Sequence, residues 1–158
     1  MSSLEVVDRI QRGFLNEVGV GEFTAFMSFN LAPLSLRRDI AMLGMIHRPD
    51  LGEWSAHFQR FFYVAPSTAR RSARHQRHNR QLYEYPHGDY LDMVGRSALG
   101  AVSVYNLLPQ EIVDAESVKL FQRSLQDLAR YAAASNRPEW QQLFSTGPSA
   151  RRNPPKRV

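Results

Sequence analysis

The sequence predicts an all-α fold, a small helical module interrupted by a long basic loop. Three observations point there. Apolar residues recur at intervals of three and four over several stretches. Capping and helix-ending residues bracket those stretches. The one competing strand signal, over residues 102–107, is short.

The first helix is well marked. Ser2 and Glu5 have capping-box spacing, in which each side chain satisfies a free backbone N–H at the helix start. Val7, Ile10, Phe14 and Val18 then repeat at helical intervals, and Gly19 and Gly21 end the element. Glu22 to Phe29 reads as a second, shorter helix with Phe23 and Phe26 on one side. Pro33 breaks the chain, and Ser35 is positioned to cap a third helix. Leu36, Ile40, Met42, Leu43, Met45 and Ile46 give that helix a broad apolar face, as expected of a central, well-buried element. Pro49 and Gly52 terminate it, and Trp54, Phe58, Phe61 and Phe62 mark the next amphipathic turns.

From Pro66 to about His87 the periodicity disappears, and the stretch 66–88 reads as a long basic loop of the kind that usually carries function or is disordered. Leu91 to Leu108 resumes a helical pattern weakened by Gly95 and Gly100, and Val102, Val104 and Leu107 also fit a minor strand. The most regular helix follows, with Ser117 as its cap and Val118, Phe121, Leu125, Leu128 and Ala132 along one face. Pro138 opens a short helix carrying Trp140, Leu143 and Phe144. The expected organisation is one module over 1–144 and a disordered basic tail over 145–158, where nothing remains to bury.

The bulk numbers bound the function. A chain of 158 residues buries enough surface to fold without disulfides or metals. Its lack of cysteine excludes thiolate metal sites and Cys nucleophiles and suits an intracellular protein, nuclear or cytoplasmic. No apolar run approaches a membrane span, and the N-terminus reads as neither a secretory signal nor a transit peptide. The net charge of +5 is concentrated. Residues 66–80 hold Arg70, Arg71, Arg74, Arg77 and Arg80 with no acid, and the tail holds Arg151, Arg152, Lys156 and Arg157 with none. The remainder has 11 basic and 15 acidic residues. A slightly acidic body with two basic segments points to an anionic polymer as partner.

Four phrases, in order, resemble a known family. Leu4, Val7, Gln11, Phe14 and Leu15 form the first. Pro33-Leu34-Ser35-Leu36-Arg37-Arg38, running on to Leu43 and Ile46-His47-Arg48, is the second, and the Arg-rich linker is the third. The fourth is the most specific: Arg96-Ser97, Ala101, Val104-Tyr105-Asn106-Leu107-Leu108-Pro109 and Ile112, then Ser117-Val118-Lys119-Leu120-Phe121-Gln122-Arg123-Ser124-Leu125. Together they resemble the C-terminal region of non-LTR (LINE-like) retrotransposon polyproteins, downstream of the reverse transcriptase. Tyr105 stands where many relatives have Trp.

The resemblance spans roughly residues 4–125 and implies a nucleic-acid-binding accessory region that positions template RNA or target DNA. It marks Arg37, Arg38, Tyr105, Asn106, Leu108, Pro109, Phe121 and Leu125 as structural motif residues. The polymerases of such elements carry an aromatic-Ala-Asp-Asp turn whose carboxylates bind two Mg²⁺ ions. This sequence has no adjacent acidic pair and no Cys/His knuckle. The chain is thus expected not to be an enzyme on its own, although the polyproteins it resembles are RNA-directed DNA polymerases. A fragment, a separated module and a non-functional retroelement remnant all fit.

Arg70, Arg71, Arg74, Arg77, Arg80 and Arg96 are the candidate nucleic-acid-binding residues, because guanidinium groups pair with phosphate oxygens and stack on bases. Tyr63, Tyr83 and Tyr85 are neighbouring stacking surfaces for a single strand. The bland reading is a solvated basic loop. His75, His78 and His87 invite a metal reading, but the ligand count is too low for tetrahedral zinc, and partly protonated histidines in a basic loop are simpler. The Tyr105-Asn106-Leu107-Leu108-Pro109 run reads as packing, with Asn106 bonding local backbone and Pro109 stopping the helix. Phe23, Phe26, Phe29, Phe58, Phe61, Phe62 and Phe121 read as core. No Ser/His/Asp hydrolase pattern occurs.

The expected partners are RNA or DNA, bound without sequence preference, and the polymerase domain of a parent reverse transcriptase, with no membrane and no cofactor. The alternative is a helical module that docks on a protein through exposed Phe or Trp.

Overall fold

Six α-helices and a closing 3-10 turn account for the regular structure of the computed structural model, which describes residues 3–47, 60–66, 76–84 and 97–145, the side chains of 3–5 excepted. The helices are α1 (Ser3–Glu17), α2 (Glu22–Phe29), α3 (Leu34–His47), α4 (Ala98–Tyr105), α5 (Gln110–Val113) and α6 (Val118–Ala134); the turn is Trp140–Gln142. Ser2 of the expected capping box, Pro49, Gly52, Trp54, Phe58, Arg151, Arg152, Lys156 and Arg157 lie outside the described residues, as do the side chains of Leu4 and Glu5.

The all-α expectation holds. α3 is the central element, packed against α1, α4, α6 and the 3-10 turn. Leu36, Ile40, Leu43 and Ile46 are buried along it, as their spacing predicts. Its start lies two residues earlier than a Ser35 cap implies: the helix begins at Leu34, where the Pro33 carbonyl already accepts from the Arg37 N–H at 3.0 Å, so Ser35 sits inside the first turn. A Cβ on Gly44 would meet the Gln122 side chain, whose flexible amide end would have to move aside.

α6 matches its pattern most closely. The Ser117 hydroxyl accepts from the Leu120 N–H at 3.2 Å, the expected N-cap contact. Phe121, Leu125, Ala129, Ala132 and Ala133 are buried below it. Three residues with positive φ turn the chain between elements: Gly19 after α1, Asn30 after α2 and Asn136 after α6. Glycine takes that conformation without a Cβ penalty, and asparagine tolerates it through local hydrogen bonding. Phe26 and Trp140 stack at 5.2 Å with their planes 3° apart, tying α2 to the 3-10 turn.

Two expectations are corrected. The minor strand over 102–107 is absent; Val102 and Val104 belong to α4. Gly100, Ala101, Val102, Val104 and Tyr105 are all buried, so this helix is covered on more than one side and carries no helical stripe to read. Tertiary burial overrides the β-preference of two valines. The only extended pairing among the described residues is an isolated antiparallel bridge between Val64 and Leu82.

The opening helix forms as its pattern predicts, but no described element covers its apolar stripe. Val7, Ile10, Phe14 and Val18 are exposed, Ile10 at 67% and Phe14 at 56%. α1 is instead anchored by Leu15, which is 3% exposed. The phenylalanines are the second correction: Phe26, Phe62 and Phe121 are core, whereas Phe23, Phe29 and Phe61 are exposed. Spacing at three and four identifies an apolar face but not whether another element covers it.

Candidate functional site

The end of α4 organises the basic segment. Helix α4 stops at Tyr105, and the backbone carbonyls freed there need donors. Residues 78–84 supply them. His78 Nε2 donates to the Tyr105 carbonyl at 3.0 Å, which places the imidazole proton on that nitrogen, since a carbonyl only accepts. Gln81 Nε2 donates to the Asn106 carbonyl at 3.0 Å.

The Asn106 side chain then treats Leu82 as a strand neighbour. Its Oδ1 accepts the Leu82 N–H at 2.9 Å, and its Nδ2 donates to the Leu82 carbonyl at 2.9 Å and to Glu84 Oε1 at 2.9 Å. α5 holds the same segment from the other side. Gln110 Oε1 accepts the Asn79 N–H at 2.9 Å, and Arg80 donates to the Val113 carbonyl at 3.3 Å.

The segment in turn pairs with residues 63–65. The Ala65 N–H donates to the Gln81 carbonyl at 2.8 Å and the Tyr83 N–H to the Tyr63 carbonyl at 3.0 Å. The two tyrosine rings stack at 5.3 Å, 12° from parallel, and Tyr63 is 41% exposed. The bridge brings Ala65 and Gln81, the flanks of the arginine-rich stretch, into backbone contact, with an aromatic pair alongside.

Beneath Asn106 lies a buried aromatic cluster. His47, at the end of α3, stacks on Phe121 at 4.1 Å. Its Nε2 is 3.0 Å from the Ala115 carbonyl and its Nδ1 is 3.2 Å from the Tyr105 hydroxyl. A carbonyl accepts only, so Nε2 carries the proton and Nδ1 accepts from the Tyr105 O–H. His78 meets the Tyr105 ring edge-on at 5.4 Å.

The candidate binding residues divide. Arg77 is exposed and Arg80 is half-buried on the Val113 carbonyl. Arg70, Arg71, Arg74 and Arg96, with His75, His87 and Tyr85, lie outside the described residues. Of the structural motif residues, Tyr105, Asn106, Leu108, Phe121 and Leu125 are buried together in the core, and Pro109 immediately precedes α5. Arg37 is exposed on α3, and Arg38 stands 3.7 Å from Asp39.

Two readings change. His78 is not a solvated loop residue, because it is buried and bonded to α4. Asn106 bonds backbone 24 residues away as well as capping its own helix. Sequence reasoning also passed over His47, which shares the spacing of Leu36, Ile40 and Leu43 and so falls on the buried face of α3. Among the described residues no three His, Asp or Glu side chains are grouped to hold a metal ion, and no helix is long and apolar enough to cross a membrane.

Comparison of the chain with protein-family models, with curated proteins and with solved structures finds no match.

Proposed function

We propose that this chain is a nucleic-acid-binding module in which the arginine-rich stretch 66–80 contacts the phosphate backbone of RNA or DNA without sequence preference. The observation that carries the reading is the paired base of that stretch: the Val64–Leu82 bridge, clamped to the helical body by Asn106 and flanked by the Tyr63–Tyr83 stack. Five arginines and no acid between Pro66 and Arg80 supply the charge. Guanidinium groups neutralise phosphates and release counterions, and exposed aromatic rings offer sequence-tolerant stacking for bases. Contacts of this kind hold a strand without reading its sequence. The likeness of the Tyr105–Pro109 and Ser117–Leu125 phrases to non-LTR retrotransposon polyproteins extends the proposal. The chain would then serve as an accessory region that positions template RNA or target DNA for a polymerase domain it does not itself contain.

The test is a binding titration against a single-stranded homopolymer at several salt concentrations. The expected log K falls linearly with log salt, by about 0.7 per phosphate contacted. Changing Arg70, Arg71, Arg74, Arg77 and Arg80 together to Ala abolishes most of the affinity. A flat salt dependence, or full affinity in the arginine-free variant, overturns the reading.

A second reading, docking on a protein through an apolar helix face, is favoured by one observation: the exposed stripe of Val7, Ile10 and Phe14 on α1, continued by Val18 just beyond it. Apolar docking is nearly insensitive to salt and is lost in Ile10→Asp, which leaves the arginine stretch untouched.

A further inference from the structure

A cavity of about 430 Å³ opens between α1, the start of α3 and the 3-10 turn. Its wall is polar: Asp8, Gln11 and Arg12 come from α1, Arg38 and Asp39 from α3, and Glu22 from the start of α2. Three carboxylates face two guanidinium groups, so the wall carries one negative charge in excess.

Each of the two arginines stands beside one of the carboxylates. Arg12 lies 3.9 Å from Glu22, which also accepts from Gln141 at 2.7 Å. Arg38 lies 3.7 Å from Asp39, whose side chain is only 8% exposed. Asp8 is left without a cation, and its Oδ1 is buried without a hydrogen-bond partner. Gln11 Oε1 is in the same condition. The Gln11 amide nitrogen donates to the Ala32 carbonyl at 3.2 Å, so the oxygen is the end left over.

Buried acceptors without donors are costly and ordinarily filled. A site with buried, unmet acceptors and one surplus negative charge favours a cation that brings several N–H groups. The described residues offer no three-ligand metal group, which leaves an organic cation. Guanidinium fits best, because its planar fork presents five N–H donors and can serve two separate acceptors at once. Burial raises the Asp39 carboxyl to about 6 against the lowering effect of Arg38, and a cation at its side offsets that desolvation.

We propose that this cavity is a guanidinium-binding site in which Asp8 supplies the counter-charge and Gln11 a second acceptor. Its ligand is an arginine side chain of a polypeptide or a free guanidinium compound.

The experiment is an NMR titration of the full ¹⁵N-labelled chain. N-acetyl-arginine amide is expected to give saturable shifts at residues 8–12, 34–39 and 141–145. N-acetyl-citrulline amide, which keeps the shape and lacks the charge, is expected to give none. Asp8→Asn weakens arginine binding about tenfold, the loss of one charge-assisted hydrogen bond, whereas Asp127→Asn on the exposed face of α6 changes nothing. Methylguanidinium separates the two sources. Binding equal to that of blocked arginine assigns a free guanidinium compound, and weaker binding assigns a polypeptide side chain. Equal binding of citrulline, undiminished binding by Asp8→Asn, shifts confined to other residues, or no saturable shift overturns the site. Should Asp8→Asn fail to fold, the arginine–citrulline comparison on the unmodified chain decides.

Discussion

The Asn106 amide satisfies both backbone polar groups of Leu82, accepting from its N–H and donating to its carbonyl, each at 2.9 Å. One side chain thereby substitutes for a neighbouring strand and fastens the end of the basic stretch to the helical core. Asn106→Ala removes both bonds and leaves buried backbone groups unpaired, at a cost of about 2–4 kcal/mol. Asn106→Asp keeps the acceptor for the Leu82 N–H but sets a carboxylate against the Leu82 carbonyl and Glu84, and is expected to be no better. Urea unfolding gives the stability loss, and hydrogen exchange shows the Leu82 amide losing protection ahead of α6.

His47 and Tyr105 are coupled through a defined tautomer. Tyr105→Phe keeps the ring against Phe121 and His78 while removing the hydroxyl that donates to Nδ1. The expected loss is about 1 kcal/mol. Long-range ¹H–¹⁵N spectra of the imidazole are expected to report the proton on Nε2 in the unmodified chain, and a proton on Nδ1 would contradict the assignment.

Asp39 makes stability depend on pH in the direction opposite to an ion-paired carboxylate. Desolvation raises it from the ordinary 3.8 to about 6, Arg38 opposes the rise and Asp8 adds to it. Between those two values the native state holds the proton more tightly than the unfolded chain. This contribution is therefore fully present below about pH 4 and is lost as pH rises through 6, by up to about 3 kcal/mol. Asp39→Asn is expected to flatten the pH profile over that window and to stabilise the protein at neutral pH. Chemical unfolding at pH 4.5 and 7.5 for both chains tests the sign.

Leu15 and Ile10 lie on the same helix with opposite consequences. Leu15 is 3% exposed, and Leu15→Ala is expected to cost about 2–4 kcal/mol through lost burial and the cavity left behind. Ile10 is 67% exposed, and Ile10→Ala is expected to stay within about 0.5 kcal/mol. Thermal unfolding of the two variants distinguishes them, and a large loss at Ile10 would mean that α1 buries its stripe in solution.

What the sequence determines by itself is local. Ser117 and the repeat from Val118 to Ala132 define α6 because a cap bond and a 3.6-residue period are properties of one continuous stretch. The same holds for α2 and for the apolar face of α3, and the charge of residues 66–80 is a property of composition alone.

Tertiary structure decides what depends on a partner far along the chain. Covered on more than one side, α4 has no period to read, so only packing distinguishes it from a strand. The stripe on α1 is as regular as that of α6, yet no described element covers it. His47, His78 and Asn106 are polar groups whose burial is tolerable only because carbonyls and amides from distant segments meet them. Asp39 has the spacing of a core residue and the chemistry of a surface one, and the fold resolves the conflict by setting it in a polar cavity beside Arg38.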